Sequence, residues 1–91
     1  LTFKNFDEVV DRANKNELGL ASYIYTNDMK KANRASELME SGTVAVNTPV
    51  VALAEAPFGG IKQTGYGREG GSMAIKDYLN IKYTHLGIHY D

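Results

Sequence analysis

The chain has 91 residues and a mass of 10.0 kDa, which is enough for one small domain with a single hydrophobic core. Apolar residues make up 43% of the sequence and charged residues 23%, a composition that favours folding and excludes an intrinsically disordered chain. Ten basic and eleven acidic residues give a net charge of −1, which argues against nucleic acid or an anionic membrane surface as a partner.

Strand-like and helix-like segments alternate along the first half of the sequence. Residues 1–4 have the pattern of the end of a strand, and apolar side chains recur at helical spacing over residues 6–14. β-branched and aromatic side chains predict a second strand over residues 20–26. A second helical pattern covers residues 29–42, where a glycine ends it, and a third strand follows over residues 43–47. This alternation predicts an α/β fold, a parallel βαβαβ half-domain with largely buried strands.

The second half of the sequence has a different character. Residues 48–71 form a long glycine-rich segment without helical or strand periodicity, and both prolines of the chain lie within it. A loop of this length in a small domain is typically functional or part of a larger assembly. We expect a short helix from Ser72 to Leu79 and then a tail strand over residues 81–88, which has no evident partner within the chain.

The string GYGREG at residues 65–70 matches the G-x-G-x-x-G pattern of dinucleotide-binding folds. In those folds the glycines directly follow a buried strand, whereas residues 57–64 contain a proline and two glycines and do not predict one. The acidic residue that such folds place further along the chain would be Asp91, the last residue. We therefore favour a loop of several turns, in which Arg68 and Glu69 pair with or cap neighbouring backbone.

Two further clusters have simpler explanations than a binding site. His85, His89 and Asp91 could be zinc ligands, but a fourth ligand is missing and a histidine pair at this spacing normally lies on a helix. We therefore expect solvated histidines and no metal site. Tyr23 and Tyr25 alternate on a predicted strand, and because basic neighbours are missing we favour core or interface packing over base stacking.

The sequence contains no cysteine, so it offers no disulfide, no thiolate metal site and no cysteine nucleophile. Its longest uncharged stretch, residues 41–54, is interrupted by glycine, asparagine and proline, and charged side chains occur where a signal peptide would be apolar. We therefore predict no membrane span and no cleaved leader, and we expect a cytoplasmic location. Because the chain begins at Leu1, we expect it to be a processed or truncated product of a longer reading frame.

Four segments, read in order, resemble the C-terminal part of the aldehyde dehydrogenase superfamily: GLASYIYTND, SGTVAVN, EAPFGGIKQTGYGREGG and KDYLNIKY. The resemblance covers essentially all 91 residues, and its most specific part is PFGGIKQTGYGREG at residues 57–70. The last two segments look most like the succinate-semialdehyde dehydrogenase branch. Members of this superfamily oxidise an aldehyde with NAD or NADP, by means of a cysteine nucleophile and a glutamate-assisted water.

The resemblance implies how the chain is organised and what its partners are. Residues 1–79 are then the C-terminal part of a catalytic domain, with the loop at residues 48–71 near the substrate entrance, and residues 80–91 are the tail strand of an oligomerisation element. The expected partners are the remainder of a parent enzyme and further copies of the same protein. NAD or NADP serves the parent enzyme, and we expect no cofactor, no catalytic residue and no activity in this chain alone.

The resemblance also implies two residues of the substrate pocket. Phe58, in the PFGG segment, corresponds to a phenylalanine that lines the aldehyde pocket of the family. The succinate-semialdehyde branch has a serine six positions earlier that helps to hold the substrate carboxylate, and this sequence has Ala52 there. That departure argues against a dicarboxylic semialdehyde, so the substrate is expected to be an aldehyde, with a semialdehyde as one candidate. The alternative function is an autonomous, non-catalytic module that dimerises through its tail.

Overall fold

The structure is a computed structural model, and it describes residues 1–89. Its first regular element is helix α1, Phe6–Asn14, which confirms the predicted helix. Asn5 caps this helix, because its side-chain oxygen accepts a hydrogen bond from the N–H of Glu8 at 2.9 Å. The carboxylate of Glu8 in turn accepts a hydrogen bond from the N–H of Lys4 at 3.0 Å. These two bonds between side chains and backbone fix the start of α1.

A βαβ unit forms the centre of the molecule. Strand β2, Ala21–Ile24, pairs in parallel with strand β3, Thr43–Val46, and helix α2, Met29–Leu38, connects them. The side chain of Asp28 caps α2 by accepting hydrogen bonds from two N–H groups of its first turn, at 2.9 and 3.2 Å. The predicted parallel pairing of these two strands is confirmed.

Helix α2 ends at Leu38, before the predicted stop at Gly42, and the end of α1 explains the difference. The side-chain amide of Asn14 donates to the carbonyl of Leu38 at 2.8 Å and accepts from the N–H of Glu40 at 2.9 Å. These bonds occupy backbone groups that a further helical turn would use. Asn14 thereby ties the carboxyl ends of both helices together.

A second, very short sheet joins the two halves of the chain. Strand β1, Leu18–Gly19, pairs in antiparallel fashion with strand β4, Ile61–Lys62. The N–H of Gln63 extends this pairing by donating to the carbonyl of Glu17 at 3.0 Å. The sequence did not predict this sheet, because two residues per strand are too few to show a periodic pattern.

Three predicted elements differ from what the structure shows. A 3-10 helix, Ala74–Tyr78, replaces the helix expected after Ser72. The strands predicted at residues 1–4 and in the tail do not form, and residues 81–89 have no regular secondary structure. A strand requires a hydrogen-bonded neighbour, and neither segment pairs with a strand in the part of the chain that the structure describes. Residues 1–89 therefore hold one βαβ unit instead of the predicted βαβαβ half-domain. The last two residues of the predicted tail lie outside the described residues.

The core is small and the exposed surface is large. The buried hydrophobic residues are Val10, Ala32, Ala35 and Ala45, and no large side chain among residues 1–89 is fully buried. The accessible surface is 7867 Å², whereas a compact 10 kDa chain is expected to expose about 5,200 Å². The radius of gyration is 19.8 Å, against about 12 Å for a compact domain of this length. Many large apolar side chains among the described residues are thus left uncovered by the chain itself.

Candidate functional site

Phe58 lies in the glycine-rich loop, where two backbone bonds hold it. Its N–H donates to the carbonyl of Glu69 at 2.7 Å, and its carbonyl accepts from the N–H of Glu69 at 2.8 Å. This isolated antiparallel bridge closes residues 59–68 into a loop. The side chain of Phe58 is half-buried, so the bridge fixes the backbone at a partly shielded aromatic residue.

The loop crosses the start of β3 at a point where only glycine fits. A Cβ atom on Gly42 would overlap the carbonyl oxygen of Gly59. A Cβ atom on Gly60 would collide with the side chain of Thr64 within the loop and would lie 3.2 Å from the carbonyl oxygen of Gly19 in the first half. The absence of side chains at these positions therefore lets the loop lie directly against the backbone of the first half.

Arg68 stabilises the loop by hydrogen bonds to its backbone and to Asp77. Its Nη1 atom donates to the carbonyls of Gly60 and Gly67, at 2.8 and 2.9 Å, while its backbone N–H donates to the carboxylate of Asp77 at 2.7 Å. The prediction of a bond to neighbouring backbone is confirmed for the side chain of Arg68, whereas Glu69 contributes its backbone groups, which bond to Phe58.

Lys62 ties the end of the loop to the helices. Its ammonium group donates to the carbonyls of Asn14 and Asn16, at 3.0 and 3.1 Å, and forms an ion pair with Glu40. The side chain is only 26% exposed, and the φ angle of 56° lies in the left-handed region, which non-glycine residues rarely adopt. Sequence reasoning missed this residue, because its carbonyl partners lie 46 and 48 positions away and leave no local signal.

An open depression of about 440 Å³ lies beside Phe58. Its lining combines loop backbone with aromatic and charged side chains, among them Tyr66, Asp77 and Tyr78. Ala52, the other predicted pocket residue, is exposed and does not line this depression. The structure therefore does not bring Phe58 and Ala52 together here. The depression offers aromatic side chains and a carboxylate that is already bonded to the loop.

A second residue with an unusual backbone conformation lies at the carboxyl ends of the parallel strands. Asn47 follows β3 with a φ angle of 55°, and its N–H donates to the carbonyl of Ile24 at 2.8 Å. Its side-chain amide then exchanges two hydrogen bonds with the backbone of Thr26, both at 2.9 Å. The side chain thus adds one further rung to the ladder and sets the direction in which the glycine-rich segment starts.

The GYGREG segment is a succession of turns. Its glycines have positive φ angles of 113°, 83° and 70° at Gly65, Gly67 and Gly70. The two-residue strand β4 precedes the segment and the five-residue 3-10 helix follows it. This differs from the buried strand and the following α-helix that a dinucleotide-binding glycine pattern requires.

The tail histidines are exposed. The Nδ1 atom of His85 lies 3.0 Å from the hydroxyl of Tyr83, and His89 follows four residues later. Asp91, the third residue of the zinc alternative, lies outside the described residues. Within residues 1–89, no three His, Cys, Asp or Glu side chains gather as a metal-binding group. No helix in that part of the chain has the length and hydrophobicity needed to cross a membrane.

A larger apolar depression, of about 490 Å³, opens between α1, α2 and β2. Tyr23 and Tyr25 line it and remain more than half exposed, and Phe6, Val9 and Met39 contribute to it. Among the described residues, β2 pairs only with β3, so its other edge carries no neighbouring strand. This groove is therefore part of the uncovered apolar surface described above.

Comparison with known proteins gives a consistent result. A model of the aldehyde dehydrogenase family matches residues 1–84. The 3-sulfolactaldehyde dehydrogenase of Pseudomonas putida is 54% identical over 85 residues, and an Escherichia coli succinate-semialdehyde dehydrogenase named for NADP(+) is 45% identical over 86 residues. These alignments cover 93% and 94% of this chain, yet the chain spans only 18% of the length of either relative.

Solved structures show the same relation. A succinate-semialdehyde dehydrogenase from Burkholderia pseudomallei superimposes with a TM-score of 0.87 at 44% identity, covering 92% of this chain and 17% of that one. An apo betaine aldehyde dehydrogenase from Staphylococcus aureus gives a TM-score of 0.82 at 37% identity, covering 86% of this chain and 16% of that one. The fold of the chain is thus that of one segment of much longer proteins.

Proposed function

The chain belongs to the aldehyde dehydrogenase family, as its motifs predicted, and we propose that it forms the C-terminal part of an NAD(P)-dependent aldehyde dehydrogenase. The observation that carries this proposal is the unequal coverage, 93% of this chain but 18% of the relative. In this proposal residues 1–79 complete a catalytic domain and residues 80–91 belong to an oligomerisation element. The predicted cytoplasmic location is part of the same proposal.

The exposed surface supports a larger enzyme. The accessible area is 7867 Å², and the buried hydrophobic core consists of four residues. Among the described residues, nothing covers the free edge of β2 or the apolar groove beside it. Such a surface is typical of a segment that packs against further polypeptide. In this proposal, the missing cover is the remainder of the parent enzyme.

The division of catalytic work follows from the residues present. The chain has no cysteine, so the nucleophile must come from the remainder of the enzyme. When bound, NAD or NADP accepts the hydride of the aldehyde. The GYGREG segment does not fit that dinucleotide, because no buried strand precedes it, no α-helix follows it, and the N–H of Arg68 is already donated to Asp77. We therefore propose that the isolated chain neither oxidises aldehydes nor binds nicotinamide nucleotides.

The contribution of this chain is a wall of the substrate pocket. The half-buried ring of Phe58 stands beside an open depression on a backbone fixed by two hydrogen bonds. An aromatic wall excludes water from the reacting aldehyde and limits its orientations. In this proposal the rest of the enzyme supplies the other walls, so the pocket is complete only in the full-length protein.

The names of the relatives suggest a substrate class. The two relatives above are named after 3-sulfolactaldehyde and succinate semialdehyde. Each of these compounds combines an aldehyde with an anionic group. We propose an aldehyde of this kind as the substrate. Ala52 offers no hydroxyl to such an anion, so in this proposal the anionic group is held by residues outside this chain.

Oligomerisation through the tail is the proposed role of residues 80–91. The tail residues Ile81, Tyr83, Leu86 and Ile88 are each at least three-quarters exposed, and residues 81–89 have no strand neighbour among the described residues. An unpaired apolar segment of this kind can add to the sheet of a second copy. The same observation favours the alternative function, a non-catalytic module that dimerises through its tail.

The test compares the isolated chain with the protein encoded by the complete reading frame that contains it. We expect the full-length protein to reduce NAD or NADP with succinate semialdehyde or 3-sulfolactaldehyde, and the 91-residue chain to do neither this nor bind either nucleotide in calorimetry. A reading frame that encodes no cysteine-bearing upstream segment would instead support the dimerising module. Nucleotide reduction by the purified 91-residue chain would refute the proposed division of work.

A further inference from the structure

We propose that Lys62 is a positioning residue for the aldehyde pocket, which it serves by anchoring the segment that carries Phe58 to the joined ends of the two helices. This inference rests on the proposed function for its effect on catalysis. Its structural part, that Lys62 holds the loop in place, stands on the contacts of the chain itself.

The surroundings of Lys62 are those of an anchor. The three donors of its ammonium group meet the carbonyls of Asn14 and Asn16 and the carboxylate of Glu40. Its side chain is 26% exposed, whereas the side chain of Lys15 on the surface of α1 is 72% exposed. The carbonyls at the end of α1 also carry the negative end of the helix dipole, which attracts the cation.

The point to which Lys62 is anchored is itself fixed. Asn14, whose carbonyl accepts one of the bonds, uses its side chain to join the carbonyl of Leu38 to the N–H of Glu40. Glu40 is also the ion-pair partner of Lys62. One ammonium group is therefore tied to the end of α1 and to the segment that follows α2.

The distance from Lys62 to Phe58 along the chain is short, and the intervening residues are held at both ends. Gly59 lies against the backbone of Gly42, and the carbonyl of Gly60 accepts a hydrogen bond from Arg68. The left-handed backbone of Lys62 is a conformation that surrounding contacts must maintain. Loss of the ammonium contacts therefore allows β4 to relax and the backbone at Phe58 to move with it.

The experiment uses the full-length enzyme and compares Lys62→Met with Lys15→Met. The second variant is the control, because it makes the same substitution at a lysine whose side chain is 72% exposed. We expect Lys62→Met to lower kcat/KM for the aldehyde by roughly 10- to 100-fold, as small displacements of a positioning group do. The KM for the nicotinamide nucleotide stays at its original value. Lys62→Arg restores part of the lost kcat/KM, because the cation is kept.

Hydrogen exchange followed by mass spectrometry supplies a readout independent of activity. Peptides covering residues 57–62 and residue 69 should exchange faster in Lys62→Met than in Lys15→Met. Glu40→Gln, which keeps the carbonyl partners and removes only the carboxylate, should produce a smaller change in the same direction and serves as a second variant if Lys62→Met does not fold.

The possible outcomes separate the two proposals. Unchanged exchange in Lys62→Met and Glu40→Gln would overturn the anchoring role, and faster exchange with unchanged kcat/KM would overturn the role in positioning the pocket. A full-length protein that oxidises no aldehyde would overturn the proposed function, and with it the catalytic part of this inference. The exchange comparison would still decide whether Lys62 holds the loop.

Discussion

Different kinds of bonds stabilise the first half of the chain, up to Asn47, and the second half, which follows it. From Asn5 to Asn47 the backbone bonds repeat regularly in α1, in α2 and in the β2–β3 ladder. Beyond Asn47, the regular elements among the described residues are the two-residue strand β4 and a five-residue 3-10 helix. The second half depends instead on single contacts, which are the backbone bridge between Phe58 and Glu69 and the bonds made by the side chains of Lys62, Arg68 and Asp77.

This difference bears on how each half responds to mutation. In a repeating element, many similar bonds share the stabilisation, so the loss of one cap or one rung has a local effect. In the loop, one guanidinium satisfies two carbonyls and one ammonium joins three acceptors, so a single substitution removes several bonds together. Irregular loops on a rigid scaffold commonly carry function, and Phe58 lies in this one.

Gly42→Ala should have the largest effect, because it acts where the two halves meet. The added Cβ overlaps the carbonyl oxygen of Gly59, and both are backbone positions with little freedom to yield. We expect a loss of about 3 kcal/mol in the free energy of unfolding, measured by urea titration followed by circular dichroism. Gly65→Ala is the control: its Cβ meets no atom within 4 Å, so only the positive φ angle costs about 1 kcal/mol. Equal losses in both variants would contradict the close approach.

Phe58→Ala in the full-length enzyme should affect catalysis more than folding. Removal of the ring opens the proposed aldehyde pocket to water, and we expect kcat/KM for the aldehyde to fall roughly 10- to 100-fold, or about 1.4 to 2.7 kcal/mol. Phe3→Ala is a suitable control, since Phe3 lies in the first half and lines the apolar groove. If kcat/KM is unchanged with several aldehydes, Phe58 is a packing residue only.

Asn47→Ala tests the boundary between the halves. The substitution removes two hydrogen bonds to Thr26 and places alanine in a left-handed conformation, so we expect a loss of about 2 kcal/mol. Asn47→Gly permits the backbone conformation and removes only the hydrogen bonds, so its loss should be about half as large. Native-state hydrogen exchange of the β2 and β3 amides measures both. An unchanged exchange rate in the glycine variant would show that the side-chain bonds do not stabilise the ladder.

The sequence predicted the repeating half well because its signals are local. The pair Asn5 and Glu8 marks the start of α1, and Asp28 marks the start of α2. The periodic apolar positions then assign each segment as helix or strand. The predicted end of α2 was less accurate. The helix ends at Leu38, where the side chain of Asn14, 24 positions away, bonds to the carbonyl of Leu38.

The loop and the tail could be predicted only in part. Composition identified residues 48–71 as an irregular loop, and a family resemblance indicated Phe58, but neither revealed the bridge from Phe58 to Glu69 or the role of Lys62. Those contacts depend on how distant segments meet in space. The strands expected at residues 1–4 and 81–88 do not form within the described part of the chain for a related reason, since a strand pattern does not say whether a neighbour is present.

Asp28→Ala should have the smallest effect and should stay within the first half. Asp28 caps α2 through two N–H groups, and loss of such a cap costs about 1 kcal/mol. Its ion pair with Lys31 is long, at 3.9 Å, and exposed, so it adds little. Asp28→Asn keeps the capping oxygen and removes the charge, and it should therefore retain most of the stability.

Hydrogen exchange at residue-level resolution decides whether the effect of Asp28→Ala is local. The first turn of α2 should open more often, while the amides of Phe58 and Glu69 should exchange at their original rates, because no bond described above links Asp28 to that bridge. Faster exchange at the bridge would mean that the loop depends on the intact repeating half as a whole. The two halves would then respond to mutation as one unit, and the effect of the lost cap would not be local.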